Sequence, residues 1–246
     1  LSGAVSGDDI DFTAAGTFAD KNVGTGKTVT IKYTLSGTAA ANYSMADKTV
    51  TANITAKDIA TDGAISITGS YVYTGAALTP TYTVTNSAKN AAGDSTTLTK
   101  DTDYTVIITN NTNAGTATLT VTGKGNYAST ISKDFTISKA QITAVKWDNK
   151  SASETLGYVY DGTEKQPEIT SVTTGNTLAS GALPANFDDM FTYGGAQTEK
   201  GESYTATATL KGAYANNFEF SSSLASGGDK TKTSRAFKIT AAALVL

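Results

Sequence analysis

The sequence predicts an all-β protein: tandem small β-sandwich or β-grasp-like modules arranged end to end. Three observations carry that prediction. The first is a period of two. In residues 113–127, Ala117, Leu119 and Val121 alternate with Thr118, Thr120 and Thr122, giving one strand an apolar face and a hydroxyl face. The second is recurrence. The middle stretch runs from Asn113, Ala114 and Gly115 through that strand to Gly123, Asn126 and Tyr127. Near the start, Asn22, Val23 and Gly24 lead into Val29, Ile31, Tyr33 and Leu35, then Gly37, Asn42 and Tyr43. Near the end, Lys200 and Gly201 lead into Tyr204, Ala206, Ala208 and Leu210, then Gly212, Asn217 and Phe218. The third is composition: hydrophobic content is 39% and charge 17%, and the chain is rich in Thr, Ser, Ala, Gly and Asn.

Three segments follow from the recurrence. Segment 1–57 holds short strands at Ile10 to Thr13, at Val29 to Leu35, and at Val50, Ala52 and Ile54, with a loop after Phe18. Segment 58–140 opens on a strand at residues 64–68. It continues through Tyr71, Val72, Tyr73 and Gly75 to Pro80, and has a polar hairpin tip at residues 87–97. A strand from Tyr104, the central alternating strand, and a closing strand through Phe135 and Ile137 complete it. Segment 141–246 opens on Ile142 to Trp147. It repeats the aromatic motif at Tyr158, Tyr160 and Gly162, with Pro167 at the same distance as Pro80, and closes on Phe237 and Ile239. Its polar insertions, residues 149–156 and 221–232, read as loops, and residues 241–246 read as the end of a last strand. Each segment is expected to bury its own row of aliphatic and aromatic side chains. The first lacks the Tyr-x-Tyr-x-Gly strand and is expected to be incomplete at its N-terminal side. Short linkers imply abutting modules and a fairly stiff rod.

Composition excludes several functions. Net charge is -3, no basic run exists to neutralise phosphates, and no nucleic-acid partner is expected. No apolar run approaches the ~18 residues of a membrane span. With no Cys and no His, disulfides, nucleophile–base pairs and the usual zinc sets are unavailable. No catalytic constellation and no cofactor are therefore expected, and the chain reads as a non-enzyme. Calcium is the remaining cation to weigh at Asp8, Asp9 and Asp11, at Asp101 and Asp103, and at Asp188 and Asp189. None has the EF-hand pattern, and solvated turn carboxylates are the favoured reading.

The recurring positions Tyr73, Gly75, Pro80, Tyr160, Gly162, Pro167, Gly115, Asn126, Tyr127, Asn42 and Tyr43 are read as structural, because fixed spacing within an internal repeat serves folding. The tyrosines could alternatively stack on sugar rings. Trp147 is read as a packing residue.

These residues carry a family resemblance. Gly7, Asp8, Asp9 and Ile10, the run from Phe18 through Asn22 to Lys27, and Leu35, Gly37, Asn42 and Tyr43 resemble the YDG-type repeat of large bacterial surface proteins. Tyr71 to Gly75 with residues 113–116 and 123–127 resembles the β-rich modules related to it, and Tyr160, Asp161 and Gly162 spell the motif literally. The resemblance implies a structural stalk or spacer of a cell-surface, cell-wall or secreted adhesin-like protein. The alternative is a β module that binds a carbohydrate or a host protein, through loops 87–97 or 221–232. Neighbouring modules of the same polypeptide are the expected partners, and a glycan or host ligand is unspecified.

Overall fold

A computed structural model describes residues 2–87 and 96–245. It is all-β, as expected, with twenty strands and only short helices among the described residues. The first segment supplies β1 (Asp11–Phe18), β2 (Gly24–Ser36), a 3-10 turn (Ala40–Asn42) and β3 (Lys48–Ile54). They form an antiparallel meander in the order β1-β2-β3. The second segment supplies β4 (Lys57–Asp58), the short helix α1 (Ile59–Asp62), β5 (Gly63–Thr68), β6 (Tyr71–Val72), β7 (Thr81–Asn86) and β8 (Thr96–Thr97). It continues with β9 (Tyr104–Thr109), β10 (Gly115–Gly123), β11 (Tyr127–Ala128) and β12 (Thr130–Ser138). The third supplies β13 (Ala140–Trp147), β14 (Gly157–Val159), β15 (Ile169–Thr174), β16 (Phe191–Gly194), β17 (Gly201–Leu210), α2 (Gly212–Asn217), β18 (Phe218–Phe220), β19 (Ala225–Ser226) and β20 (Asp229–Thr240).

The two later segments repeat the meander of the first and add to it. The sheet orders are β6-β12-β10-β9 and β14-β20-β17-β16. In each, the strand bearing the first tyrosine of the aromatic motif lies parallel to the closing strand: Tyr71 pairs with Ile137, and Tyr158 with Ile239. The rings then meet the closing phenylalanine edge to face, Tyr71 on Phe135 at 5.2 Å and Tyr158 on Phe237 at 5.9 Å. Further sheets, β5-β7-β8 and β15-β13-β18, join the opening strands of those segments, β5 and β13, to later strands. The first meander has neither addition among the described residues. Its apolar face, in register from Phe12–Leu35 to Phe18–Val29–Val50, accordingly leaves Phe12, Phe18 and Val50 exposed.

The described chain divides into two compact units. One takes residues 1–66, 83–107 and 120–132; the other takes residues 67–82, 108–119 and 133–246. In the second unit the buried cluster includes Tyr73, Ala117, Phe135 and Ile137 together with Ile142, Trp147, Phe191, Phe218, Phe220 and Phe237. The separate interiors expected on either side of residue 140 are thus replaced there by a shared one. The physical reason is that β13 continues directly from β12 and carries Ala140 and Ile142 into that cluster. Trp147 packs at 2% exposure, edge to face with Tyr193.

Local readings differ at a few points. β1 runs to Phe18, well past Thr13, because every residue in it finds a partner on β2. Residues 225–226 and 229–232 are not loop but the β19–β20 hairpin, turned by Gly227 and Gly228 at positive φ. The 149–156 insertion is a loop, and Arg235 holds it by donating to the carbonyls of Ser151, Ala152 and Glu154. The last strand ends at Thr240, and residues 241–245 lie exposed with no strand partner among the described residues. Of the hairpin tip expected at residues 87–97, residues 88–95 lie outside the described residues, and Thr96 and Thr97 form β8, paired antiparallel with β7.

The hydroxyl face read from β10 is used as a ladder. Thr118 donates to Asp134 at 2.7 Å, Thr120 meets Ser132 at 3.0 Å, and Thr122 meets Thr130 at 3.2 Å. Such cross-strand pairs help to fix register.

Two tyrosines make the fold sensitive to alkali. Burial first, and then its hydrogen bond to the Asp148 carboxylate, push the Tyr158 phenol well above its ordinary range. Burial pushes Tyr193 up to about 12. Tyrosines in the unfolded chain ionise near about 10. The folded state therefore keeps protons that the unfolded state has released. This stabilisation is complete below about pH 10 and is lost as pH rises through the folded values. The urea midpoint is expected to fall above about pH 10, with phenolate absorbance rising together with unfolding. A midpoint unchanged to about pH 12 would contradict this.

Candidate functional site: the junctions between repeats

Among the recurring aromatic positions Tyr73 is buried, Tyr43 and Tyr127 are half-buried, and Tyr160 is exposed. Tyr73 is 8% exposed and meets Phe218 edge to face at 5.2 Å. Its N–H donates to the Ser138 carbonyl, and its own carbonyl accepts from Asn176 at 3.0 Å. Tyr160 differs: it is 38% exposed, and its backbone N–H bonds the Thr240 carbonyl. Pro80 and Pro167 are both buried just ahead of β7 and β15. Gly75 and Gly162 both adopt positive φ, +84° and +78°. The motif therefore builds turn and core, and Tyr160 is its one ring that could reach a ligand. The first tyrosines, Tyr71 and Tyr158, were read in the sequence as part of the motif but not among its recurring structural positions. Their register with Ile137 and Ile239 shows them to be the more constant part of the motif.

The remaining recurring positions converge on two junctions. In the first unit, the Asn126 side chain takes the Val23 N–H on Oδ1 at 2.8 Å and donates from Nδ2 to Asn22 Oδ1 at 3.1 Å. In the second unit, Asn217 takes the Ala114 N–H at 2.8 Å and donates to Asn113 Oδ1 at 3.1 Å. The bonded pairs stand 103 and 104 residues apart in both cases. Each asparagine thus spans both groups that the Asn-x-Gly turn of the preceding repeat offers, one donor and one acceptor. The aromatic after it pairs, parallel, with the strand leaving that repeat. Tyr127 and Ala128 pair with Lys57 and Asp58; Phe218, Glu219 and Phe220 pair with Ala140, Gln141 and Ile142. An open groove lies beside each junction, about 430 Å³ at Val23, Ile54 and Thr55 and about 500 Å³ at the corresponding Ala114, Ile137 and Ser138.

Sequence reading named Asn126, Tyr127 and Gly115, which the junctions use, but missed Asn22, Asn113 and Asn217 as their partners. The available signal was the Asn-x-Gly triplet in two segments, each followed at one fixed distance by an asparagine before an aromatic. Asn42 and Tyr43 repeat that pair in the first segment. There the Tyr43 hydroxyl donates to Asp8 at 2.6 Å and accepts the Val5 N–H at 3.0 Å, while the Asn42 side chain is exposed.

The acidic clusters bond to backbone and side-chain groups of the fold, Asp9 across to Thr38 and the others within a few residues. Asp9 accepts the Thr38 N–H, Asp11 the Phe12 N–H and Asp103 the Thr99 N–H, and Asp188 lies against Asn186. Among the described residues, no three His, Cys, Asp or Glu side chains come together as a metal would require. No helix among them is long and apolar enough to cross a membrane.

The junction asparagines give a direct test. Asn217→Ala removes two hydrogen bonds from a partly buried side chain and is expected to cost about 1–3 kcal/mol. Asn217→Asp keeps the acceptor for the Ala114 N–H but sets a carboxylate oxygen against Asn113 Oδ1, and should cost at least as much. Amide exchange at Ala114 should quicken in both variants. Protection there equal to that of the parent protein would show that the junction does not close in solution.

The architecture defines an all-β protein whose chain repeats one antiparallel meander and joins the copies by a shared polar contact. Residues 1–52, which take in β1, β2 and most of β3, match the YDG domain family. No curated protein matches the chain.

Proposed function

We propose that the chain is a structural spacer: a run of β repeats in the stalk of a bacterial cell-surface or secreted adhesin-like protein, extracellular and attached to neighbouring modules. The observation that carries this reading is the junction made twice, with the same atoms, the same distances and the same separation along the chain. A polypeptide that couples each repeat to the next by one standard contact is built to hold repeats in fixed order. The YDG match over residues 1–52 supports the kind of protein. The inward use of Tyr71, Tyr73 and Tyr158 supports structure over sugar binding. Threonine-rich strand faces keep such a surface wettable with little charge.

A glycan array and host-matrix binding assays on the intact chain test this reading against a carbohydrate- or host-protein-binding module. No specific binding is expected. Saturable binding abolished by Tyr160→Ala, the substitution of its exposed motif ring, would replace the spacer reading with the binding one.

A further inference from the structure

We infer that β1 is a self-pairing edge: two copies of this chain join their β1 strands antiparallel about a two-fold axis at Ala15, and the two three-stranded meanders become one continuous sheet. The occupant of the edge is thus a second copy.

The edge is open by topology. β1 bonds to β2 on one side and, among the described residues, to no strand on the other. β9 and β16 hold the same place in the later meanders and also end their sheets. The open side therefore belongs to the repeat, whatever precedes it in the chain. Those two edges are short, six and four residues. β1 has eight residues, all exposed, and pairs with β2 without a bulge. It has no Lys, Arg or Pro, and its one charge, Asp11, stands at its end. Short strands, lysines, prolines and bulges are the usual guards of an edge, and β1 has none of them.

Backbone direction fixes which residues face outward. The Ala19 N–H donates to the Thr28 carbonyl at 3.1 Å, one step beyond the Phe18–Val29 pair. Bonded pairs alternate along an antiparallel ladder. Thr13, Ala15 and Thr17 therefore bond to β2, while Phe12, Ala14, Gly16 and Phe18 turn their N–H and C=O groups outward. The Phe12 N–H accordingly donates to the Asp11 carboxylate at 2.8 Å rather than to β2.

A second β1 must bond to those outward groups, so even-numbered residues can pair only with even-numbered ones. Setting Phe12 against Phe18 of the second copy, and Ala14 against its Gly16, satisfies this and uses every outward group of the strand. It also lays each Phe12 ring beside a Phe18 ring, a favourable cross-strand pair. Between these, Thr13 meets Thr17 and Ala15 meets Ala15 on the axis. Those are the non-bonded pairs, in which Cα atoms approach to about 4.5 Å and small side chains fit. The two Asp11 carboxylates lie at opposite ends, so no like charges oppose, and each yields its Phe12 N–H to a Phe18 carbonyl. A strand complementary to itself in both backbone and side chains selects its own copy. The contact is isologous and closes at two. It rests on β1 alone, not on the spacer reading.

Sedimentation velocity on the intact chain at low salt, from about 10 μM to about 1 mM, tests it; one strand of contact falls in the weak range. Concentration-dependent dimers and nothing larger are expected. Ala15→Lys sets two ammonium groups face to face on the axis, each beside the Lys32 opposite it on β2, and should weaken association about fivefold or more. An equimolar mixture of Ala15→Lys and Ala15→Glu chains should associate more tightly than either alone. Phe12→Ala, which by symmetry removes both ring pairs, should also weaken association about fivefold. In the parent protein, amide exchange at Ala14, Gly16 and Phe18 should slow as concentration rises, while Thr13, Ala15 and Thr17, bonded to β2, keep their protection throughout. Residue 15 is exposed, so its substitutions leave the meander folded. Four results would overturn the inference: a monomer throughout the range, growth beyond dimers, association indifferent to Ala15→Lys, or a mixture no tighter than its parts.

Discussion

Replacing Phe218 with alanine is expected to lower stability by about 3–5 kcal/mol, the range for removing a fully buried phenylalanine. Phe218 is 0% exposed and lies between two tyrosine rings, Tyr73 at 5.2 Å and Tyr214 at 6.3 Å. Its backbone pairs with Ala140 at the start of β13. The cavity left by the ring would open among β-sheet residues that cannot collapse without breaking that register, which places the cost toward the upper end. Phe18→Ala is the control: its ring is 37% exposed on the bare face of the first meander, and the expected loss is about 1 kcal/mol or less. Urea unfolding followed by far-UV circular dichroism measures both, with the transition of each compact unit fitted separately. Equal losses for the two substitutions would mean that the Phe218 interior does not exist in solution.

That contrast shows why the fold was legible in part. Alternation marked β2, β10 and β17 because one face of each must meet apolar neighbours, and a two-residue period is the direct trace of that burial. It marked β1 less well. Asp11, Thr13, Ala15 and Thr17 alternate with Phe12, Ala14, Gly16 and Phe18, and small residues on the apolar side blur the signal. Periodicity also says which side chains turn inward without saying what they meet. Ile142 was correctly read as strand, but nothing in its spacing indicates that it shares an interior with Tyr73 and Phe135.

The junctions were hidden for a different reason. Asparagine and glycine in a turn are explained by local conformation, since both tolerate the backbone a turn demands. Asn113, Ala114 and Gly115, with φ +136° at the glycine, satisfy that explanation completely. The additional bond reaches Asn217, far along the chain, and a local reading has no means of registering it. Only the pairing of two repeats at one fixed separation carries the information, and it becomes legible once each Asn-x-Gly triplet is set against the asparagine 104 residues on.

The two glycines of the repeated aromatic motif are expected to respond differently to one substitution. Gly75→Ala should cost about 2–5 kcal/mol, and Gly162→Ala about 1–2 kcal/mol. Both have positive φ, so an added Cβ costs each of them the left-handed conformation. Their surroundings differ. At Gly162 a Cβ would meet nothing within 4 Å, so the conformational term stands alone. At Gly75 it would lie 2.4 Å from the Ala182 Cβ and 3.2 Å from its Cα, and the neighbour is backbone-anchored rather than the end of a flexible chain. That segment is further tied down by the Ala179 N–H on the Thr74 carbonyl at 2.7 Å and by Asn176 on the Tyr73 carbonyl. It cannot retreat without losing those bonds, so overpacking adds to conformational strain. A Gly75→Ala, Ala182→Gly double substitution removes the clash and leaves the φ cost. It should recover stability to within about 1 kcal/mol of Gly162→Ala, allowing for the flexibility a new glycine adds. Urea midpoints of the three variants decide the matter. If Gly75→Ala and Gly162→Ala lose the same amount, residues 74–76 do not lie against residue 182. The motif would then be two equivalent surface turns rather than one turn locked to the core and one free.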